Sequence, residues 1–225
     1  MTEKELRTPS NGYNAATDQT MGYQDIRNTA ENWATIMRLF REGRARGLDE
    51  ESKKLLQPCI ITGSGPSFDD KVEKLKAWKG GIVSHFSQAS TLIYHGIIPD
   101  YIVCLDAICN WEAISGIDWK QYKTKLVTHP GMWPSSTANW PNEILFYRQN
   151  LNKPEGFTVD EQKKMFTERM GTLDDALASK IAYKILIRTE ITSFACTPPT
   201  QLFVAKFLQY GNTFLCGLDF AYIGD

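Results

Sequence analysis

One succession constrains the fold of this chain more than any other feature. The apolar run Cys59-Ile60-Ile61-Thr62 enters the turn Gly63-Ser64-Gly65-Pro66-Ser67, and Val72, Leu75 and Trp78 then mark one face of a helix ending at Gly80-Gly81. The pattern repeats at once. A second run, Ile82 to Phe86, precedes a helix over Gln88 to Tyr94 that Gly96 and Pro99 stop, and Tyr101 to Leu105 gives a third strand ending in Asp106. Strands that alternate with helices imply βαβ units with right-handed crossovers. The expected fold class is therefore α/β, a Rossmann-like, mostly parallel sheet flanked by helices.

The remaining elements fit around that unit. Trp33, Ile36, Met37 and Phe40 recur at helical spacing, and a shorter helical piece is expected from Asp49 to Leu56, so residues 25–57 read as a helical N-terminal preface. Residues 1–24 are rich in Thr, Asn, Ser and Gly without periodicity and read as a flexible arm. Residues 58–225 read as the Rossmann-like nucleotide-binding domain. Within it, Lys125 to Thr128, Ile144 to Tyr147 and Thr213 to Cys216 are further strands, and Pro198-Pro199 suit the first turn of a helix capped by Thr197. The Trp-, Pro- and Ser-rich stretch from Gly131 to Pro141 is expected to be a surface loop over the site. A polar helical region is expected from about Thr158 to Ile187.

Charge and cysteine usage remove several function classes. Lys and Arg number 25 against 26 Asp and Glu, a net charge of -1, which gives no global attraction for a nucleic-acid polymer. The five cysteines, Cys59, Cys104, Cys109, Cys196 and Cys216, are scattered without metal spacing and read as reduced thiols. Nothing approaches the roughly 18 apolar residues that span a bilayer, and Met1 to Asn14 lacks a signal-peptide hydrophobic region, so the expected place is the cytoplasm, away from membranes.

Ligands of open parallel sheets bind beyond the carboxyl ends of the strands. The turn after the first strand would offer amides and a helix N-terminus to a phosphate, with glycine at Gly63 and Gly65 permitting close backbone approach. Ser67 is expected to cap the helix, with Asp70 completing a capping box. Ser87, Gln88, Thr128, Asp219 and Tyr222 are expected along the same edge as nucleotide contacts. Asp106 could accept from a ribose hydroxyl or ligate a phosphate-bound metal, and otherwise caps a helix. His129, at a strand's carboxyl end, could donate a proton or contact phosphate. His85 and His95 are assigned core or capping roles. Pro66 departs from the dinucleotide fingerprint, and neither a P-loop nor a Gly-x-Ser-x-Gly elbow occurs.

Three segments together, Pro58 to Phe68, Gly96 to Tyr101 with Leu105-Asp106, and Gly217-Leu218-Asp219-Phe220-Ala221-Tyr222, resemble one family. It holds the motility-associated-factor glycosyltransferases of bacterial flagellins and the archaeal 6-hydroxymethyl-dihydropterin diphosphokinases, known as MptE-like. The resemblance implies a sialyltransferase-like Rossmann fold, with Gly63, Ser64, Gly65, Pro66 and Ser67 lining the nucleotide and Asp106 and Asp219 at the rim. In the glycosyltransferase branch it implies transfer of a nonulosonic sugar, sialic or pseudaminic acid-like, from a CMP donor to a hydroxyl of a protein such as flagellin. The diphosphokinase branch would use ATP, with magnesium on Asp106. A third reading is a non-catalytic nucleotide-binding or assembly domain. Relatives continue past their Asp-x-Ala-Tyr segment where this chain stops at Gly224-Asp225, so a domain truncated at its C-terminus is expected.

Overall fold

The computed structural model describes residues 24–51, 55–150, 160, 164, 182–192 and 197–219. In chain order the elements are helix α1 (residues 24–41), strand β1 (Ala45–Gly47), β2 (Cys59–Thr62), α2 (Val72–Lys76), β3 (Gly81–His85), α3 (Ala89–Tyr94), β4 (Tyr101–Val103) and β5 (Lys125–Thr128). Helix α4 (Pro134–Asn139), β6 (Ile144–Phe146), β7 (Arg148–Asn150), α5 (residues 182–186), β8 (Glu190–Thr192), α6 (Thr197–Phe207) and β9 (Thr213–Cys216) follow. Seven strands form one sheet in the order β1-β6-β5-β4-β3-β2-β9, every pair parallel. Strands β7 and β8 make a separate parallel pair. The α/β expectation holds.

Alternation along the strands decides what each face buries. Tyr101 and Val103 of β4, Val127 of β5 and Leu145 of β6 pack with Ile61, Val83, Val204, Ala205 and Leu208, so α6 covers this face. Ile102, Leu126, Ile144 and Phe146 point the other way, onto Ile36 and Leu39 of α1, Ala89 of α3 and the indoles Trp119 and Trp140. Helix α2 extends that layer through Val72 and Leu75, which meet Ile82, Leu92 and Ile97. Burial on both faces explains why these strands read as continuous apolar runs. Burying each Leu, Ile or Val contributes about 1.5–3 kcal/mol.

Several local expectations change. Residues 45–47 form an edge strand that the apolar pattern did not mark, and the piece expected from Asp49 to Leu56 is a 3-10 turn over Leu48–Glu51. The stretch from Gly131 to Pro141 is not a surface loop: α4 runs through it, and Met132 and Trp140 are fully buried. Its polar composition misled because Ser136, although buried, is satisfied by donating from Oγ to the Cys109 carbonyl at 2.8 Å. The arm before residue 24, most of the polar helical region, Cys196 and Tyr222 lie outside the described residues. Cys59, Cys104, Cys109 and Cys216 are free thiols.

Candidate functional site

The chain enters the sheet's main layer at β2, proceeds through β3, β4, β5 and β6 in one direction, and returns on the other side of β2 as β9. That reversal is where open α/β sheets form their ligand crevice. Because all strands are parallel, the turn after β2, the ends of β3, β4 and β5, and Gly217 to Asp219 after β9 share one edge. Strand spacing of about 4.8 Å puts the ends of β2 and β5 roughly 14 Å apart.

The glycine turn is stitched to the segment after β9. Gly63 N–H donates to the Cys216 carbonyl at 2.8 Å and Gly65 N–H to the Gly217 carbonyl at 2.7 Å. Ser67 gives its N–H to Asp219 Oδ2 at 2.7 Å and its hydroxyl to Oδ1 at 2.6 Å. Those two hydrogen bonds hold the exposed Asp219 carboxyl below its ordinary range. Ser67 therefore does not cap the helix with Asp70: the cap position is Gly65, with no side-chain cap bond, and Pro66 opens a 3-10 helix that runs to Lys71. Of the amides expected to meet phosphate, those of Gly63, Gly65 and Ser67 are engaged by the chain itself.

What the turn leaves open lies toward β3. Ser64 is exposed, and its Oγ lies 3.5 Å from Nε2 of His85, the last residue of β3; His85 Nδ1 is 2.7 Å from Oγ of the exposed Ser87. Burial lowers the His85 pKa to about 4, so the ring is neutral near pH 7. His85 is half-buried at the cap position of the 3-10 turn Phe86–Gln88, as a capping role read from the sequence expects, but it makes no side-chain cap bond and its ring lies between Ser64 and Ser87. Parallel register explains it: Thr62 pairs with Ser84, which sets Gly63 level with His85. Behind these strand ends, Gln201 of α6 donates Nε2 to the Thr62 and Val83 carbonyls at 3.0 and 3.3 Å. Gln88 and Thr128, expected as nucleotide contacts, are 4% and 0% exposed, so neither presents a polar group at the surface of the crevice.

Asp106 follows β4 as expected, half-buried. Burial pushes its carboxyl up, and His129 pulls it partly back. His129 is itself buried, its Nδ1 2.8 Å from Asp25 Oδ1, and Nε2 has no hydrogen-bond partner among the described residues. Asp25 belongs to α1, and that helix grips this edge through a buried polar stripe. Asn28 Nδ2 donates to the Ala107 and Gly131 carbonyls at 2.8 and 2.9 Å; Asn32 Nδ2 donates to those of Pro130 and Met132 at 2.8 and 2.7 Å. The loops carrying Asp106 and His129 are thus pinned by side chains at helical spacing, a pattern present in the sequence as Asp25, Asn28 and Asn32.

Among the described residues, no three His, Cys, Asp or Glu side chains gather in a way that could hold a metal ion. A magnesium ion on Asp106 would fit only as one bridged to phosphate and water oxygens. Trp140, within the stretch expected to lie over the site, packs against Trp119 with ring centroids 5.1 Å apart and belongs to the core. A groove of about 320 Å³ between α6 and the amino end of β9, lined by Leu202, Phe203, Lys206, Tyr210, Gly211 and Thr213, lies at the opposite end of the strands. No helix among the described residues is long and apolar enough to cross a membrane.

Residues 27–192 match the family described as 6-hydroxymethylpterin diphosphokinase MptE-like. The chain belongs to this family. Among solved structures, this MptE-like chain is similar to a MAf glycosyltransferase from Magnetospirillum magneticum AMB-1, at 19% identity and a TM-score of 0.58. The likeness covers 89% of this chain and 29% of that one, so the MptE-like chain spans under a third of its structural neighbour. Comparison with curated proteins finds no match. At this identity the neighbour shows the fold alone.

Proposed function

We propose that this MptE-like domain is a nucleotide-dependent glycosyltransferase. Its donor is a CMP-linked nonulosonic acid, sialic or pseudaminic acid-like, and its acceptor is a hydroxyl on a protein such as flagellin. The observation that carries the reading is the placement of Ser64, His85, Ser87 and Asp106 along one carboxyl edge, beginning at the sheet's reversal point. Family membership supports a transferase, and the fold shared with a glycosyltransferase favours this class.

In this reading the nucleotide phosphate meets the turn through Ser64, since Asp219 and Gly217 hold the amides of Ser67 and Gly65. The donor's carbon–oxygen bond breaks with its electron pair going to the phosphate oxygen, and the acceptor oxygen forms the new bond. Asp106, whose raised pKa makes it a better base than an exposed carboxylate, takes the acceptor's proton. His129, anchored near Asp25, supports that charge.

Titration calorimetry with CMP, CDP and ATP, each with and without magnesium, tests the reading. CMP or CDP binding without a magnesium requirement is the expected result. Binding of ATP with magnesium alone would move the assignment to the diphosphokinase named in the family's description. Binding of none would leave a non-catalytic domain and overturn the proposal.

A further inference from the structure

We propose that His85 is a catalytic residue that contacts the phosphoryl group of the bound nucleotide through Nε2, with Ser87 as the positioning residue for its ring. The inference rests on the nucleotide-transfer reading and adds to it the group that meets the leaving phosphate.

The two ring nitrogens are held unequally. Nδ1 lies 2.7 Å from Ser87 Oγ, a full hydrogen bond, whereas Nε2 lies 3.5 Å from Ser64 Oγ, at the outer limit of one. The ring is therefore anchored on one side and has room for a better partner on the other. Its backbone is fixed by the sheet, with His85 opposite Val103 of β4 and Ser84 opposite Thr62 of β2. With the Gly63, Gly65 and Ser67 amides engaged, Ser64 Oγ, His85 Nε2 and Ser87 Oγ are the side-chain groups that the ends of β2 and β3 offer a ligand.

Charge sharpens the assignment. The charged groups on the flanking elements are Asp219, Asp69, Asp70 and Lys71 on the turn side and Asp106 beyond β4; the His85 pKa is lowered by burial and not by any of them. The free protein thus holds a neutral ring with no counter-charge. A phosphate beside Nε2 supplies that counter-charge and favours the imidazolium. Nδ1–H then donates to Ser87 Oγ and Nε2–H to a phosphate oxygen. During transfer the bond between the sugar's anomeric carbon and that phosphate breaks, and the oxygen receiving the electron pair is stabilised by the Nε2–H bond. The acceptor's proton goes to Asp106, so His85 keeps its own.

The test is calorimetric titration of CMP at about pH 6 in two buffers of different ionisation heat, which counts protons taken up per nucleotide bound. Because the second phosphate ionisation is also near 6, His85→Gln supplies the ligand's own contribution. The parent is expected to take up more protons than His85→Gln, and the variant to bind at least tenfold more weakly; Ser87→Ala should keep part of the uptake. If CMP does not bind the parent, the same titration is run with ATP and magnesium. Equal uptake and affinity in parent and His85→Gln would overturn the role of His85 while leaving the nucleotide reading intact. Failure of both nucleotides to bind the parent would overturn both. Should His85→Gln not fold, the parent's imidazole nitrogen resonances decide: nucleotide must shift those of His85 toward the charged form, and an unchanged spectrum refutes the contact.

Discussion

Gly65→Ala separates two explanations for a glycine in the turn. The backbone of Gly65 has φ -72 and ψ 159, a region open to any residue, so alanine carries no dihedral penalty there. Taken alone, the exchange should stabilise by about 0.4–1 kcal/mol, because alanine restricts the unfolded chain. Packing predicts the opposite sign. A methyl at Gly65 would stand 2.8 Å from the Gly217 carbonyl and 2.7 Å from Asp219 Oδ2, where ordinary contact begins at 3.4 Å. The Asp219 side chain can swing aside only by releasing Ser67, and the carbonyl can retreat only by stretching its 2.7 Å bond from Gly65 N–H.

Overpacking of this kind costs about 1–3 kcal/mol, and in a chain of this size each kcal/mol lowers Tm by about 2–4 °C. Differential scanning calorimetry should therefore place Gly65→Ala roughly 2–12 °C below the parent. Gly43→Ala is the contrasting control: its φ is +67 with nothing within 4 Å, so its cost of about 1–2 kcal/mol comes from left-handed backbone. A Gly65→Ala protein that melts at or above the parent would show that the turn does not lean on the segment after β9, and the reasoning would fail.

Four further outcomes are expected. Glu51, 2% exposed, accepts from Lys125 Nζ at 2.6 Å and Tyr101 OH at 2.9 Å and pairs with Arg46, so Lys125→Met should cost about 3–5 kcal/mol in urea unfolding. Burial pushes the Glu51 carboxyl up, but Lys125, Tyr101 and Arg46 outweigh it and leave the pKa below ordinary; its stabilisation is present above the unfolded value of about 4.3 and is lost as pH falls through the folded value, an acid limb that Glu51→Gln should flatten. Trp140→Ala should cost about 3–5 kcal/mol by opening a cavity beside Trp119, which a mobile lid residue would not. Asn28→Ala strands the Ala107 and Gly131 carbonyls at about 1–3 kcal/mol, and hydrogen exchange should quicken near both residues; unchanged exchange would mean that α1 does not pin those loops.

The sheet was legible wherever burial on both faces wrote an apolar run, as at β2, β3 and β5; edge strand β9 was read from its apolar run although Phe214 and Leu215 are exposed. Strand β1 left no such mark because its sequence is Ala45-Arg46-Gly47; what holds it is parallel pairing with β6 and the pairing of Arg46 with Glu51 nearby and with the distant Glu143. Helix α4 was hidden for the converse reason, since Ser136 and Thr137 are polar yet fully buried. On α1 the apolar face through Ile36 and Phe40 was read, while Asp25, Asn28 and Asn32 at the same period were not. Buried amides that bind loop carbonyls look like solvated positions until the loops are in place.

The site was legible as an edge and not as a set of contacts. Sequence reading placed the turn, Asp106, His129 and Asp219 at strand ends, which a parallel sheet then brings to one side. It could not choose among the three reasons for a glycine, namely ligand approach, positive φ and packing of the chain on itself, because Asp219 is 152 residues from Ser67 and announces no partner. The structure selects packing for Gly63 and Gly65, whose added Cβ atoms would meet Gly217, with Leu218 or Asp219 beside it. It follows that substituting these glycines reports on how the turn is held, whereas the proposed nucleotide contacts are tested at Ser64, His85 and Ser87. His85 was given a core or capping role because it read as lying inside a strand. Its place at the strand's end, level with Gly63 across the β2–β3 register, is what brings Nε2 to Ser64 of the turn.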